Sequence, residues 1–421
     1  MNLSKDRKLL ILAGVLLCGG GQGVLINTLS VFVKPVTETL GFQRGPFTLY
    51  ASIISLVAVA TLPVYGELYR KRWFPQLMVV SATVCSAVLF SYSFCHSLTG
   101  FYLLSVLLGL FFHGTSITAV ANILNSWFGK NKGIATGICF SGSGIFAALM
   151  LRLANPVIQT WGWIWGYRLV GLSGFLLLAV GSLIVCYVEK RKDAITADDP
   201  EFAISQSGRE GLELTRNAAL RTRAFWGILL GSFLVSASIQ AGGASIAAYL
   251  SDLGYSVSFQ GRLASISMLA LAAGKILMGR VLDRAGMRVG FICITSALLG
   301  YALSLLLMRY SASTVFYVLF YGIAASGSTV LVSYSVVSCF GKGDYSRIYA
   351  MTSIAVNLGV AAGNWLPGAV FDCFGSYIPG WYVMVLVSLT AGCLFFVTYL
   401  DHQKRCALNL DLEKGGKISA C

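Results

Sequence analysis

Long apolar runs, each broken by a short cluster of charge, glycine or proline, recur along this chain from end to end. About 20 apolar residues are needed to cross a hydrocarbon core at 1.5 Å per residue. Runs of that length predict six helices over 9–33, 47–66, 74–95, 101–124, 133–153 and 166–188. A polar stretch, 189–223, interrupts the pattern. Six more helices follow over 225–250, 261–282, 289–308, 314–340, 348–371 and 377–400. The runs are continuous and do not alternate with a period of two, so they point to helices and not to a β-barrel. The expected fold is all-α and integral to the membrane, with 12 transmembrane helices.

Composition agrees with the pattern. Of 421 residues, 56% are hydrophobic and 11% charged, against about a quarter charged in a soluble domain. The net charge of +14 does not call for nucleic acid, because the basic residues gather at helix ends. Placing both termini in the cytoplasm puts Lys5, Arg7 and Lys8, Arg70–Arg72, Lys130 and Lys132, the 189–223 segment, Arg280, Arg284 and Arg288, Lys342 and Arg347 on the inner side. Lys34, Arg44, Arg152, Arg168, Arg262 and Arg309 remain outside, a bias of about four to one that fits the positive-inside rule. The basic N-terminus and its apolar run are similar to a signal peptide, but the run is too long for one, so it is expected to be the first span. Eleven cysteines contain no C-x-x-C pair and sit mostly in apolar runs, which suggests reduced core residues. No P-loop or G-x-S-x-G is present and the three histidines are dispersed. An enzyme, a metal site, a cofactor and an ATP-driven pump are therefore not expected.

Two six-helix groups about a long linker are the mark of an internally repeated transporter. The expected division is 1–188 for the first bundle, 189–223 for a cytoplasmic linker, 224–402 for the second bundle and 403–421 for a cytoplasmic tail. The loop Gly279-Arg280-Val281-Leu282-Asp283-Arg284-Ala285-Gly286-Met287-Arg288 resembles the G-x-x-x-D-R-x-G-R loop of the major facilitator superfamily. Its counterpart Gly66-Glu67-Leu68-Tyr69-Arg70-Lys71-Arg72 puts Tyr69 where the aspartate is expected and lacks the later glycine. The charges suit a conformational latch of Asp283, Arg284, Arg280, Glu67 and Arg70, in which Asp283 pairs with a base or caps a facing helix end. A basic loop that merely sets topology fits the same residues. The segment Trp127-Phe128, Lys130, Lys132-Gly133, Ala135, Gly137, Ser141-Gly142 and Gly144 is similar to the monocarboxylate transporter and oxalate/formate exchanger branch. So are the Gly19–Gly23 cluster and the exit Lys34-Pro35 of the first helix.

That branch carries a substrate-binding basic residue in the eighth helix, eight positions before the acidic loop residue, and Lys275 holds this spacing to Asp283. The resemblance thus implies that Lys275, about 12 Å from the helix end, meets a carboxylate; snorkelling toward the interface is the other reading. Proton-coupled members have an acid where this chain has Leu271 and a first-helix lysine where it has Asn27; the exchanger's second lysine falls near Asn357, with Asn364 two turns on. One midplane cation argues for a monoanion over a dianion. His113 is a candidate for substrate or proton binding, or a neutral core histidine. Tyr334, Tyr249, Tyr349, Gln240 and Ser238 are candidate hydrogen-bond donors, indistinguishable in sequence from interhelical bonding. Arg152 is a candidate vestibule residue or a lipid anchor.

The expected function is secondary transport of small organic monoanions, such as lactate, pyruvate or formate, by alternating access across the cell membrane. Proton symport and anion exchange both fit. Its partners would be the substrate anion, H+ and the lipid bilayer, and the chain would work as a monomer. Transport of larger amphipathic compounds and a non-transporting sensor on the same fold are the alternatives.

Overall fold

The computed structural model describes residues 5–128, 132–191 and 214–418. Among these residues every regular element is a helix. Lys130 and residues 192–213 of the expected linker lie outside the described residues, as do 419–421.

The first crossing begins as an α-helix, Lys5–Cys18, opens into a π-helical stretch, Gly19–Ile26, and ends through Leu29–Phe32 and Val33–Leu40. The second, Arg44–Leu68, and third, Phe74–Ser91, are continuous. The fourth is broken: Leu98–Phe112 stops at His113, and Ile117–Trp127 starts afresh with Ser116 as its cap, whose hydroxyl accepts from the Thr118 amide. Lys132–Trp161 and Trp163–Lys190 complete the first six. A short helix, Arg216–Leu220, leads to the seventh crossing, Arg223–Asp252.

The next helix runs from Val257 to Leu306, 50 residues, or about 75 Å, far beyond a hydrocarbon core of about 30 Å. It is two crossings. At Gly286 the backbone takes φ 75° and ψ −176°, which a side chain would resist, and the chain turns back there. The tenth crossing, Ser313–Ser326 and Val332–Phe340, is interrupted by π-helical Gly327–Leu331. Tyr345–Phe374 and Ile378–Ile418 are the last two. The final helix passes well beyond residue 403, where a tail was expected. The sequence there has no proline and no glycine before Gly415, so nothing stops the helix where its apolar run ends.

Helices pack mainly within the first six and within the last six. Between the two sets, the fifth helix meets the eighth and the second meets the eleventh. Glycine makes the first of these contacts close: a Cβ on Gly137 would stand 2.3 Å from the Lys275 carbonyl oxygen, and one on Gly133 would stand 2.5 Å from that of Gly279. The fifth helix is enclosed on nearly all sides from Lys132 to Gly144, whereas Ile145, Leu149, Arg152 and Leu153 beyond it are exposed. The two sets are therefore pressed together at the end that carries Lys132, Asp283 and Arg347, the basic end, and part towards the other.

Candidate functional site

Lys275 lies where the enclosed part of the fifth helix ends. Its backbone rests on Gly137, and its side chain runs along the fifth helix, where Nζ donates to Ser143 Oγ at 2.8 Å and to the Phe140 carbonyl at 3.3 Å. The residue is 3% exposed, so the ammonium has not snorkelled to either surface. Both partners are uncharged, and no ion pair to Lys275 is found among the described residues. The Cys18 thiol, at the start of the π-helical stretch of the first helix, is within electrostatic reach of Lys275 and also of Tyr349. Broken or widened turns at depth in a membrane protein are tolerated where other protein or a cavity surrounds them. Three of the crossings here carry one: the first, fourth and tenth.

The structure distributes the other expected site residues unevenly. Asn357 lies 12 residues into the eleventh helix, a depth of about 18 Å from its basic end and close to that of Lys275, but its amide is spent on the Ser353 carbonyl at 2.8 Å. Asn27 is nine residues, about 13 Å, further along the first crossing than Cys18 and accepts from Gln22 Nε2 at 3.3 Å. Gln240 and Asn364 bond each other at 2.7 Å across the seventh and eleventh helices. Ser238 is buried in the seventh helix and Leu271 in the eighth, while Arg152 is exposed beyond the enclosed part of the fifth.

Three expected residues do not join Lys275. Tyr249 is three residues from the far end of the seventh helix; its hydroxyl donates to the Leu305 carbonyl at 3.1 Å and its ring packs on Trp381 and Tyr377. Tyr334 is within electrostatic range of Asp283, at the basic end. His113 occupies the break of the fourth helix, 2% exposed, with Nδ1 3.3 Å from Ser116 Oγ and its ring against Tyr65. It faces Tyr65 of the second helix, while neighbouring Gly114 abuts Ser81 of the third. Tyr249 and Tyr334 are set apart by their depth along the helices, and His113 by the break in its helix, where its ring turns to Tyr65.

The latch region is built differently from a set of loop charges. Asp283 accepts from the backbone amides of Gly133 and Ile134, both at 2.7 Å, and so caps the start of the fifth helix from the opposite set. Arg280 and Arg284 are exposed and pair with no acid among the described residues, so of the two partners expected for Asp283, a base or a facing helix end, the helix end is the one it takes. Amides left over at a helix start attract an acceptor anion. Glu67 forms a two-pronged pair with Arg347, at 2.5 and 2.8 Å, and Arg70 reaches Asp344 at 3.0 Å. Tyr69, in place of the expected aspartate, instead donates to the His113 carbonyl at 3.0 Å. Lys132, 5% exposed, donates to Asn125 Oδ1 at 2.7 Å and lies 4.8 Å over the Tyr345 ring. In the sequence Arg347 stands out only as a topology charge, Lys132 as a topology charge within the branch-like segment, and Asp344 not at all. An acid one residue before a helix start was the available signal.

The sequence model of the Major Facilitator Superfamily matches residues 11–256 and 228–415. The chain belongs to the Major Facilitator Superfamily. It is a multi-pass membrane transporter with the fold of that family. Its structure is similar to that of the proton:xylose symporter XylE, with a TM-score of 0.73 over 93% of this chain and 94% of that one, at 10% identity. In sequence it is 27% identical over 179 residues to the riboflavin transporter RibJ of Trypanosoma cruzi, covering 41% of this chain and 37% of that protein. It is 25% identical over 170 residues to monocarboxylate transporter 4 of Mus musculus, covering 40% of this chain and 35% of that protein. The matched segments thus span little more than a third of these relatives' own lengths.

Proposed function

We propose that this transporter carries small organic monoanions of the monocarboxylate type across the cell membrane by alternating access, with Lys275 as the residue that attracts the carboxylate. The observation that carries the proposal is a buried ammonium bonded only to neutral groups. A cation withdrawn from water without a countercharge is costly, and an anionic ligand removes that cost. Its position at the end of the enclosed interface gives a ligand access from the parted side. Ser143, already bonded to the ammonium, is the candidate to orient it. The positive-inside bias supports a cytoplasmic basic end with both termini on that side, and the reading takes 1–188 and 224–402 as two bundles joined by the 189–223 linker. Alternating access then exchanges the closed basic end for a closed far end around Lys275. The likeness to a riboflavin transporter favours a second reading, a larger heteroaromatic substrate, with Lys275 as a structural charge.

Uptake of labelled lactate, pyruvate, formate and riboflavin into proteoliposomes, by wild type and Lys275→Gln, tests both readings. Carboxylate uptake lost in the variant supports the first. Riboflavin uptake unaffected by the variant, with no carboxylate uptake, would replace it. Recording external pH in the same assay decides between symport and exchange.

A further inference from the structure

His113 stands in the break of the fourth helix, and the bonds around it fix where its ring can take a proton. Ser116 Oγ accepts the Thr118 amide at 3.2 Å and aims its own proton at the His113 carbonyl at 3.4 Å. A hydroxyl has one proton to give, so Nδ1, 3.3 Å away, is the donor to Ser116. Nε2 is then the bare nitrogen, and it is buried with no hydrogen-bond partner. The Ala58 backbone lies close to the ring, but its carbonyl already accepts the Thr61 hydroxyl at 2.9 Å. The titratable groups facing this place are Tyr65 and Tyr69 of the second helix, with Cys85 of the third near Tyr65 and Tyr349 of the eleventh near Tyr69. Ser81 and Ser116 add only hydroxyls. No carboxylate or basic side chain is among these groups. A proton arriving on Nε2 would be a buried donor without a free acceptor, and an arrangement that supplies one is favoured over this one.

The break is tied to the second helix by two hydroxyls. Carbonyls left over where a helix stops need donors. Tyr65 gives one to Leu110 at 3.1 Å, and Tyr69 gives one to His113 at 3.0 Å. The same end of the second helix carries Glu67 and Arg70, whose bonds to Arg347 and Asp344 cross to the other set of helices. Gly66, beside Glu67, rests on the eleventh helix, where an added Cβ would stand 3.1 Å from that of Ala350. A shift of the break therefore acts on the boundary between the two sets through groups in direct contact. We propose that His113 is a proton-binding residue, and that a proton on its ring releases Tyr69 and loosens the Glu67–Arg347 and Arg70–Asp344 pairs, opening the basic end. The inference rests on the alternating-access reading above and gives it a site for a coupling proton, set apart from Lys275.

The test uses the full chain in lipid nanodiscs without substrate, spin-labelled at Trp73 and Arg284, both exposed. Between about pH 8 and about pH 5, the range in which histidine acts as a switch, the long-distance population of the wild type is expected to rise about fivefold or more, the low end of ordinary coupling between two sites. His113→Gln should hold the same distances throughout. Tyr69→Phe, which keeps the imidazole, should still bind the proton but lose the distance response. Proton binding is read by magnetic resonance of labelled histidine in His96→Gln/His402→Gln, where His113 is the one histidine left of three, and it should follow the wild-type distance curve. This second readout carries the test if His113→Gln does not fold. An equal response in wild type and His113→Gln assigns it to the carboxylates at the basic end and overturns the proposal. So does a wild type without a response, a response kept in Tyr69→Phe, or a His113 that takes up no proton as the distance changes. Absence of carboxylate uptake would leave these readouts intact, and their failure would leave the role of Lys275 untouched.

Discussion

Asp283, eight residues beyond Lys275 in the eighth helix, accepts the Gly133 amide at 2.7 Å across the boundary between the two sets of helices. Its second oxygen takes Ile134 at 2.7 Å. A capping bond normally joins neighbours in sequence; here it joins positions 150 residues apart. The bond exists only while the basic end is closed, so it biases one conformation without adding to the stability of either bundle.

Removing that cap should open the basic end. Asp283→Ala is expected to shift the closed-to-open balance by about 1–2 kcal/mol, the usual worth of a helix cap, or about tenfold in population. Spin labels at Trp73 and Arg284, both exposed, would report this as a longer distance by pulsed electron resonance. An unchanged distance distribution would show that the cap does not control the equilibrium.

The Glu67–Arg347 pair acts at the same end but in contact with water. Exposed ion pairs are screened by salt. Glu67→Gln should produce a smaller shift than Asp283→Ala, and the shift should vanish in molar salt. The exchange Glu67→Arg/Arg347→Glu should restore the wild-type distance. Salt should leave the Asp283 effect largely intact, because backbone amides of a packed helix start supply its partners.

The closeness of the fifth and eighth helices rests on absent side chains. Gly137→Ala would press a methyl against the Lys275 backbone, and backbone cannot rotate away. The variant is expected to disfavour the closed basic end and reduce uptake. Gly243→Ala, whose Cβ would meet nothing within 4 Å, should be neutral in uptake and more stable by up to about 1 kcal/mol, the helix preference of alanine over glycine. Equal behaviour of the two would refute the packing argument.

Lys275 allows a prediction of opposite sign for stability and function. An unpaired buried charge destabilises, and an apolar side chain of similar length removes the cost. Lys275→Met should melt at or above the wild-type temperature in detergent while losing carboxylate uptake. A variant that melts lower would identify the bonds to Ser143 and Phe140 as the purpose of the lysine.

Much of this protein is written in one dimension. Apolar runs of about 20 residues must cross a membrane as helices, because nothing else satisfies the backbone there. The count of twelve, the loop carrying Asp283 and the singular position of Lys275 all follow from that. Helical phase was not legible, since a helix apolar on every side gives no moment to read. His113 is as polar in sequence as Asn357, yet its ring turns to Tyr65. The π-helical stretches at Gly19–Ile26 and Gly327–Leu331 left only glycines as a trace. Partners across the two sets were hidden for another reason. Asp283 with Gly133, Glu67 with Arg347 and Arg70 with Asp344 are separated by 150 to 280 residues, and their pairing is set by which ends of the bundles meet. The sequence determined that a cation would stand alone in the membrane. Tertiary structure alone decided that it lies at the end of a glycine-packed seam, where the two halves begin to part.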